Sequence, residues 1–212
     1  MAAKGQQKGT VFLIHGFPDC SLAWRYQIPL LTGLGLRCIA LDSMGYGDTG
    51  TSSDLRDFGF KAHADAVEGI AKQIGASTIV LGGHDWGGAA VYRIAQWKPK
   101  LVTHVFSVCT PYFKVMDQYV STQDLIDAGV KQFGYQLQFG SEDGKVESVV
   151  KDEASMRRFL KGAYGGKASS GAKFMDPETG VDLKSVAEDE YSMTPLLSDE
   201  VCRLTSHKPC NK

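Results

Sequence analysis

Hydrophobic and polar positions in the first half of the chain follow two alternating periods. Short apolar runs at 10–14, 37–41, 77–81 and 101–107 are typical of buried strands. Apolar residues between these runs recur at helical spacing, most clearly from Phe60 to Ile74 and in the helix that ends near Pro99. Strands that alternate with helices predict an α/β fold, with a mostly parallel sheet and helices on its faces.

One further helix is predicted between the first two strands. Ser21 is a suitable N-cap, and Trp24, Ile28 and Leu31 lie on one face of a helix that runs to about Leu31. Pro29 is expected to kink this helix or to limit its length, because proline lacks the backbone N–H.

The pattern changes after Pro111. Residues 112–160 predict short helices with many aromatic side chains, and Gly162 to Gly180 predicts a loop rich in Gly, Ser and Lys. The last residues show no periodicity. We therefore predict an α/β core at 1–111, an incomplete helical lid at 112–200, and an unrelated or disordered tail at 201–212.

Composition excludes several classes of function. The net charge of −1 over 212 residues gives no electrostatic attraction to nucleic acid, and no apolar run approaches the roughly 20 residues of a membrane span. Five cysteines, odd in number and scattered, indicate reduced thiols and a cytoplasmic location. No Cys/His cluster has zinc spacing, so we expect neither a metal nor a cofactor.

The segment 82–88, Gly-Gly-His-Asp-Trp-Gly-Gly, carries the most specific chemical signal. It follows a predicted strand and precedes a helix, as does the G-x-nucleophile-x-G turn that raises one side chain above a sheet. The raised residue is Asp85, a carboxylate rather than a hydroxyl. A carboxylate ionises without a base and attacks carbon directly, which points to an electrophilic sp³ carbon.

Other candidate residues follow neighbouring strands. His15-Gly16 follows the first strand and Asp42 the second, and the carboxyl ends of parallel strands share the edge at which ligands bind. We interpret His15, His84 and Asp42 as structural groups rather than as bases.

Four motifs together resemble the α/β-hydrolase superfamily and, within it, the soluble epoxide hydrolases. They are His-Gly-Phe-Pro at 15–18, Asp-Ser-Met-Gly-Tyr-Gly at 42–47, His-Asp-Trp-Gly-Gly at 84–88, and Gly-Tyr-Gln-Leu-Gln-Phe at 134–139. The first two are typical of the superfamily as a whole. The aspartate in the third is more specific, because most members have serine there.

The resemblance implies a mechanism. Asp85 attacks a small-molecule epoxide and forms an alkyl-enzyme ester, while Tyr135 donates a hydrogen bond to the ring oxygen. The backbone N–H groups of Phe17 and Trp86 form the oxyanion hole for ester hydrolysis. His15, Gly16, Pro18 and His84 support this site, and the resemblance implies a cis bond before Pro18.

The family also requires a later acid and a histidine that activates water. Beyond Asp85 the only histidines are His104, inside a predicted strand, and His207, whose neighbours do not resemble the family motif. We therefore expect a truncated chain that forms the ester and does not complete turnover. A sheet without its outer strands also predicts an exposed edge, with self-association as a homodimer or aggregate.

Two alternatives stay open. Haloalkane and haloacetate dehalogenases share an Asp nucleophile, but commonly have Asn where Phe17 stands or Arg where Trp86 stands. The other alternative is a catalytically silent chain that acts through binding.

Overall fold

The computed structural model describes residues 7–197, so the predictions for the tail at 201–212 and for His207 lie outside the described residues. The chain divides into two compact units, one that ends at Phe113 and one that begins at Lys114.

A four-stranded parallel sheet forms the centre of the first unit, as the sequence predicts. Its strands are β1 Gly9–Ile14, β2 Leu36–Leu41, β3 Ile79–His84 and β4 Val102–Val108. Their order across the sheet is β2-β1-β3-β4. The predicted α/β fold class, with a mostly parallel sheet and helices on its faces, is therefore confirmed.

Helices cover both faces of this sheet. On one face, α2 (Phe60–Gln73) and α3 (Trp86–Trp97) pack on the strands through a buried cluster that includes Phe12, Leu81 and Ile94. On the other face, Val11 and Leu13 pack with Trp24. Because side chains alternate along β1, this strand supplies both clusters.

The predicted helix from Ser21 to Leu31 is wrong as one element. A 3₁₀ turn spans Ser21–Trp24, and α1 begins later, at Gln27–Gly33. Proline inside a helix would clash with the carbonyl four residues earlier, so α1 starts where Pro29 falls in its first turn. Ser21 is not the cap, since the residue before the turn is Cys20. The Ser21 N–H instead donates to Asp42 Oδ1 at 2.7 Å.

Over residues 114–197, the second unit contains short helices and a small hairpin. The helices are α4 Thr122–Asp127, α5 Gly134–Phe139, α6 Lys145–Val149, α7 Glu153–Ala163 and α8 Leu183–Glu188. The segment predicted as a loop contains β5 Met175–Asp176 and the start of β6 Gly180–Val181, which pair antiparallel. Val181 packs with Phe159 and Val186, so burial of this apolar residue orders the hairpin.

Strand β4 lies at the edge of the described sheet and pairs with β3 alone. Two of its apolar side chains are exposed, Phe106 at 38% and Val108 at 45%. Self-association through this edge stays a prediction. No helix within residues 7–197 is long and apolar enough to cross a bilayer. Cys20, Cys38 and Cys109 are free thiols.

Candidate active site

The loops after β1 and β3 meet where the sheet changes direction. Strand β1 is flanked by β2 on one side and by β3 on the other, so the chain leaves β1 in one direction and returns in the other. Such a switch point opens a crevice at the carboxyl ends of the strands. Residues 15–18 follow β1 and Asp85 follows β3, which places these two predicted motifs side by side.

Asp85 lies in a strained turn between β3 and α3. Its backbone angles are φ 54° and ψ −120°, a conformation that residues other than glycine rarely adopt. Its side chain reaches the loop after β1, where Asp85 Oδ1 accepts a hydrogen bond from the Phe17 N–H at 3.0 Å. One carboxylate oxygen of Asp85 is thus held by the backbone N–H of Phe17.

Gly16 permits this close approach of the two loops. A Cβ atom on Gly16 would lie 2.5 Å from Asp85 Cβ, 2.6 Å from Asp85 Oδ1 and 2.8 Å from the His84 carbonyl oxygen. The following peptide bond, Phe17–Pro18, is cis, as the resemblance implies.

Replacing Gly16 by Ala is therefore expected to push the two loops apart. The neighbouring atoms include backbone, which moves only with the turn itself, so we expect a loss of about 1–3 kcal/mol of unfolding free energy. Urea unfolding monitored by fluorescence measures this. The matched control is Gly33→Ala in α1, where a Cβ would meet nothing within 4 Å. Equal stability of the two variants would contradict the close approach.

Trp86 and His84 flank the nucleophile candidate. Trp86 is the first residue of α3, where a backbone N–H has no acceptor within the helix, and its side chain is 44% exposed. This N–H lies at the N-terminus of α3, directly after Asp85. His84 is the last residue of β3, is partly buried, and lies opposite Val108 of β4.

His15 is buried and connects the loops after β1 and β2. Its Nε2 accepts the Ser43 N–H at 3.1 Å, so its Nδ1 carries the proton and donates to the Gly16 carbonyl at 2.8 Å. Both ring nitrogens are therefore engaged. Burial lowers the pKa of His15 below its usual 6.5, against the opposing effects of the Gly16 carbonyl and of the Asp42 and Asp19 carboxylates.

The lowered pKa of His15 gives a pH dependence with a defined sign. Below about pH 6.5 the unfolded chain binds a proton at this histidine more readily than the native chain, so stability falls as the pH falls. The contribution to the slope is at most about 1.4 kcal/mol per pH unit for one proton. We expect His15→Gln to reduce the decline in the free energy of unfolding, measured by urea titration, between pH 7.5 and 5.5. A slope for His15→Gln identical to that of the unchanged chain would contradict the assignment.

Tyr135 belongs to the second unit, as the second residue of α5. Its N–H donates to the Pro177 carbonyl at 3.1 Å. Its ring packs edge-on against the Phe139 ring, with 6.4 Å between the ring centroids. Its hydroxyl accepts a hydrogen bond from the Gln136 side chain at 3.4 Å. The backbone and the ring of Tyr135 are thus held within its own unit.

Two residues of the site were missed by the sequence reasoning. Ser43 supplies the N–H that binds His15, and Thr110 Oγ1 donates to the Asp85 carbonyl at 2.6 Å. Ser43 stands inside the motif at 42–47, but nothing in its residue type indicates a role for its backbone. Within the described part of the chain, no group of three or more His, Cys, Asp or Glu side chains could hold a metal ion.

Sequence comparisons agree with this architecture. A family model described as the α/β-hydrolase fold matches residues 9–164. Epoxide hydrolase srdG of Neurospora crassa is 36% identical over 91% of this chain, and the match spans 56% of that protein. Bifunctional epoxide hydrolase 2 of Sus scrofa is 36% identical over 73% of this chain and 27% of its own length. The chain thus spans little more than half of the first relative and a quarter of the second.

Solved structures show the same fold. An epoxide hydrolase from an endophytic Streptomyces superimposes with a TM-score of 0.74 at 23% identity, over 95% of this chain and 61% of that one. Epoxide hydrolase A from Mycobacterium thermoresistibile gives a TM-score of 0.73 at 24% identity, over 98% and 64% of the two chains. Given the strand order of the sheet, the strained turn at Asp85 and the family match, this chain belongs to the α/β-hydrolase fold family and is epoxide hydrolase-like in sequence.

Proposed function

We propose that Asp85 opens an epoxide ring and forms an alkyl ester with one of its carbons. The observation that carries this proposal is the hydrogen bond from the Phe17 N–H to Asp85 Oδ1, at a turn that raises the carboxylate above the sheet. The names of the two sequence relatives, epoxide hydrolase srdG and bifunctional epoxide hydrolase 2, support the choice of substrate class.

The hydrogen bond from Phe17 indicates which carboxylate oxygen of Asp85 attacks. Since Oδ1 binds the Phe17 N–H, Oδ2 forms the new bond to the epoxide carbon, and the C–O bond of the ring breaks. The ring oxygen leaves as an alkoxide. In this proposal Tyr135 O–H supplies its proton, as the family resemblance implies, because a phenol is a stronger acid than an aliphatic alcohol.

Oδ1 then becomes the carbonyl oxygen of the ester. When water attacks the ester, negative charge develops on this oxygen, which already faces the Phe17 N–H. We propose that the Trp86 N–H, at the start of α3, is the second donor. Gly16 and Pro18 position the Phe17 amide, while His15 and His84 support the loops rather than exchange protons.

Hydrolysis of the ester also needs a base, and neither His15 nor His104 is suited to this role. His15 has both nitrogens engaged. His104 lies opposite Val80, five residues and roughly 16 Å along β3 from Asp85. We therefore propose that a polypeptide of these 212 residues accumulates the ester. We also propose that residues 112–200 belong to the partial helical lid that the family resemblance implies.

Halide displacement is the competing chemistry. A departing halide is stabilised by side-chain N–H donors, whereas Phe17 provides only its backbone N–H. Trp86 stands where the haloacetate enzymes have an arginine that holds the carboxylate of their substrate. These two residues favour the epoxide.

The experiment is to incubate the 212-residue chain with styrene oxide and, separately, with 1-chlorobutane. Intact mass should increase by one styrene oxide, and peptide mapping should place the adduct on Asp85. Labelling at any other residue, or none, would contradict the nucleophile and favour the catalytically silent alternative. Chloride release with 1-chlorobutane would identify dehalogenase chemistry, and sustained diol release would contradict the accumulation of the ester.

A further inference from the structure

The turn that follows β4 holds the backbone of Asp85 from two sides. The Asp85 N–H donates to the Val108 carbonyl at 3.2 Å, and Thr110 Oγ1 donates to the Asp85 carbonyl at 2.6 Å. The segment from Val108 to Thr110 therefore binds the Asp85 backbone through both its N–H and its carbonyl. We call this segment the Asp85 clamp.

The clamp is itself in a constrained conformation. Cys109 has φ 69°, and among the described residues Asp85 and Cys109 are the non-glycine residues with positive φ. The two strained residues thus follow adjacent strands and are joined by hydrogen bonds through their neighbours. Strained backbone persists only where surrounding contacts determine it, and here each loop supplies contacts to the other.

Thr110 is fixed by its own contacts. Its carbonyl accepts hydrogen bonds from Ser107 Oγ at 2.7 Å and from the Tyr92 hydroxyl at 3.4 Å. Gly88 lets α3 approach this turn, because a Cβ there would lie 2.4 Å from Ser107 Oγ and 2.8 Å from Thr110 Cβ. The Thr110 hydroxyl is therefore presented to Asp85 by a packed turn.

The Asp85 carbonyl also begins the helix that carries the second oxyanion donor. It accepts the Ala89 N–H at 3.2 Å, the first hydrogen bond of α3. The Asp85 carbonyl oxygen thus accepts hydrogen bonds from both the Ala89 N–H of α3 and the Thr110 hydroxyl. The orientation of Asp85 relative to α3 depends on both bonds.

We propose that Thr110 is a positioning residue for the nucleophile: its hydroxyl holds the Asp85 peptide in the strained conformation that directs the carboxylate to the Phe17 N–H. The expected effect of Thr110 on the reaction with an epoxide rests on the proposed function of Asp85. The expected effect of Thr110 on the order of the Asp85 backbone does not rest on it.

The test compares Thr110→Val and Thr110→Ser in the 212-residue chain. Valine keeps the shape of threonine and removes the hydroxyl, whereas serine keeps the donor. The matched control is Thr103→Val, because Thr103 Oγ1 donates to the Ile79 carbonyl at 3.1 Å, the same kind of bond between β4 and β3 at the other end of the strands.

Two measurements are made on each variant: amide hydrogen exchange at Asp85 and Ala89 by NMR, and the rate of adduct formation with styrene oxide. For Thr110→Val we expect about tenfold faster exchange at these amides and about tenfold slower adduct formation, the loss that one hydrogen bond represents. Thr110→Ser should match the wild type in both measurements, and so should Thr103→Val.

The proposal is overturned if Thr110→Val behaves like Thr103→Val in hydrogen exchange. It is also overturned if neither Thr110→Val nor Thr110→Ala folds, because the hydroxyl would then serve the fold as a whole. A wild-type chain that forms no adduct removes the proposed function instead, and hydrogen exchange still decides the role of Thr110.

Discussion

Replacing Asp85 by Asn is expected to abolish covalent labelling by styrene oxide, with a rate at least about a thousandfold below that of the wild type. The amide oxygen of Asn still accepts the Phe17 N–H, so the turn and its hydrogen bond are retained. What is lost is the anionic oxygen that attacks carbon, because a neutral amide is a poor nucleophile.

The measurement is the time course of the adduct by intact mass, and the same spectra verify that the introduced amide has not hydrolysed back to the carboxylate. The matched control is Asp48→Asn, an exposed carboxylate in the loop after β2, at the same edge of the sheet. This control should label at the wild-type rate. Labelling of Asp85→Asn at the wild-type rate would exclude Asp85 as the nucleophile.

Tyr135→Phe is expected to slow adduct formation about a hundredfold at saturating styrene oxide. The ring keeps its edge contact with Phe139 and the backbone keeps its bond to Pro177, so the second unit should remain folded. Without the hydroxyl, the alkoxide that leaves the ring must take its proton from water. The leaving group is then poorer in the transition state.

The control for Tyr135 is Tyr119→Phe in the same unit, where the side chain is 91% exposed. It should label at the wild-type rate. If Tyr135→Phe also labels at that rate while Asp85→Asn does not, the nucleophile stands and Tyr135 only packs in its unit. The two variants therefore separate the attacking group from the proton donor.

The difference between the predicted and observed first helix illustrates how far local patterns reach. The apolar spacing from Trp24 to Leu31 is helical, and a helix does form there. The spacing does not show that the Ser21 N–H binds Asp42, which follows the next strand. The bond to Asp42 satisfies the Ser21 N–H in place of a local capping side chain. Together with the ring of Pro29, it divides the segment into a 3₁₀ turn and α1.

By itself, the sequence determined the parallel sheet and the turn at Asp85, because hydrophobic period and turn residues act over a few neighbouring positions. Only the tertiary structure decided how Asp85 is held. Its side chain is bound by Phe17, 68 residues away, and its carbonyl by Thr110, 25 residues away. Contacts over such separations arise when the order β2-β1-β3-β4 brings loops together, and no local pattern encodes which backbone group then meets which.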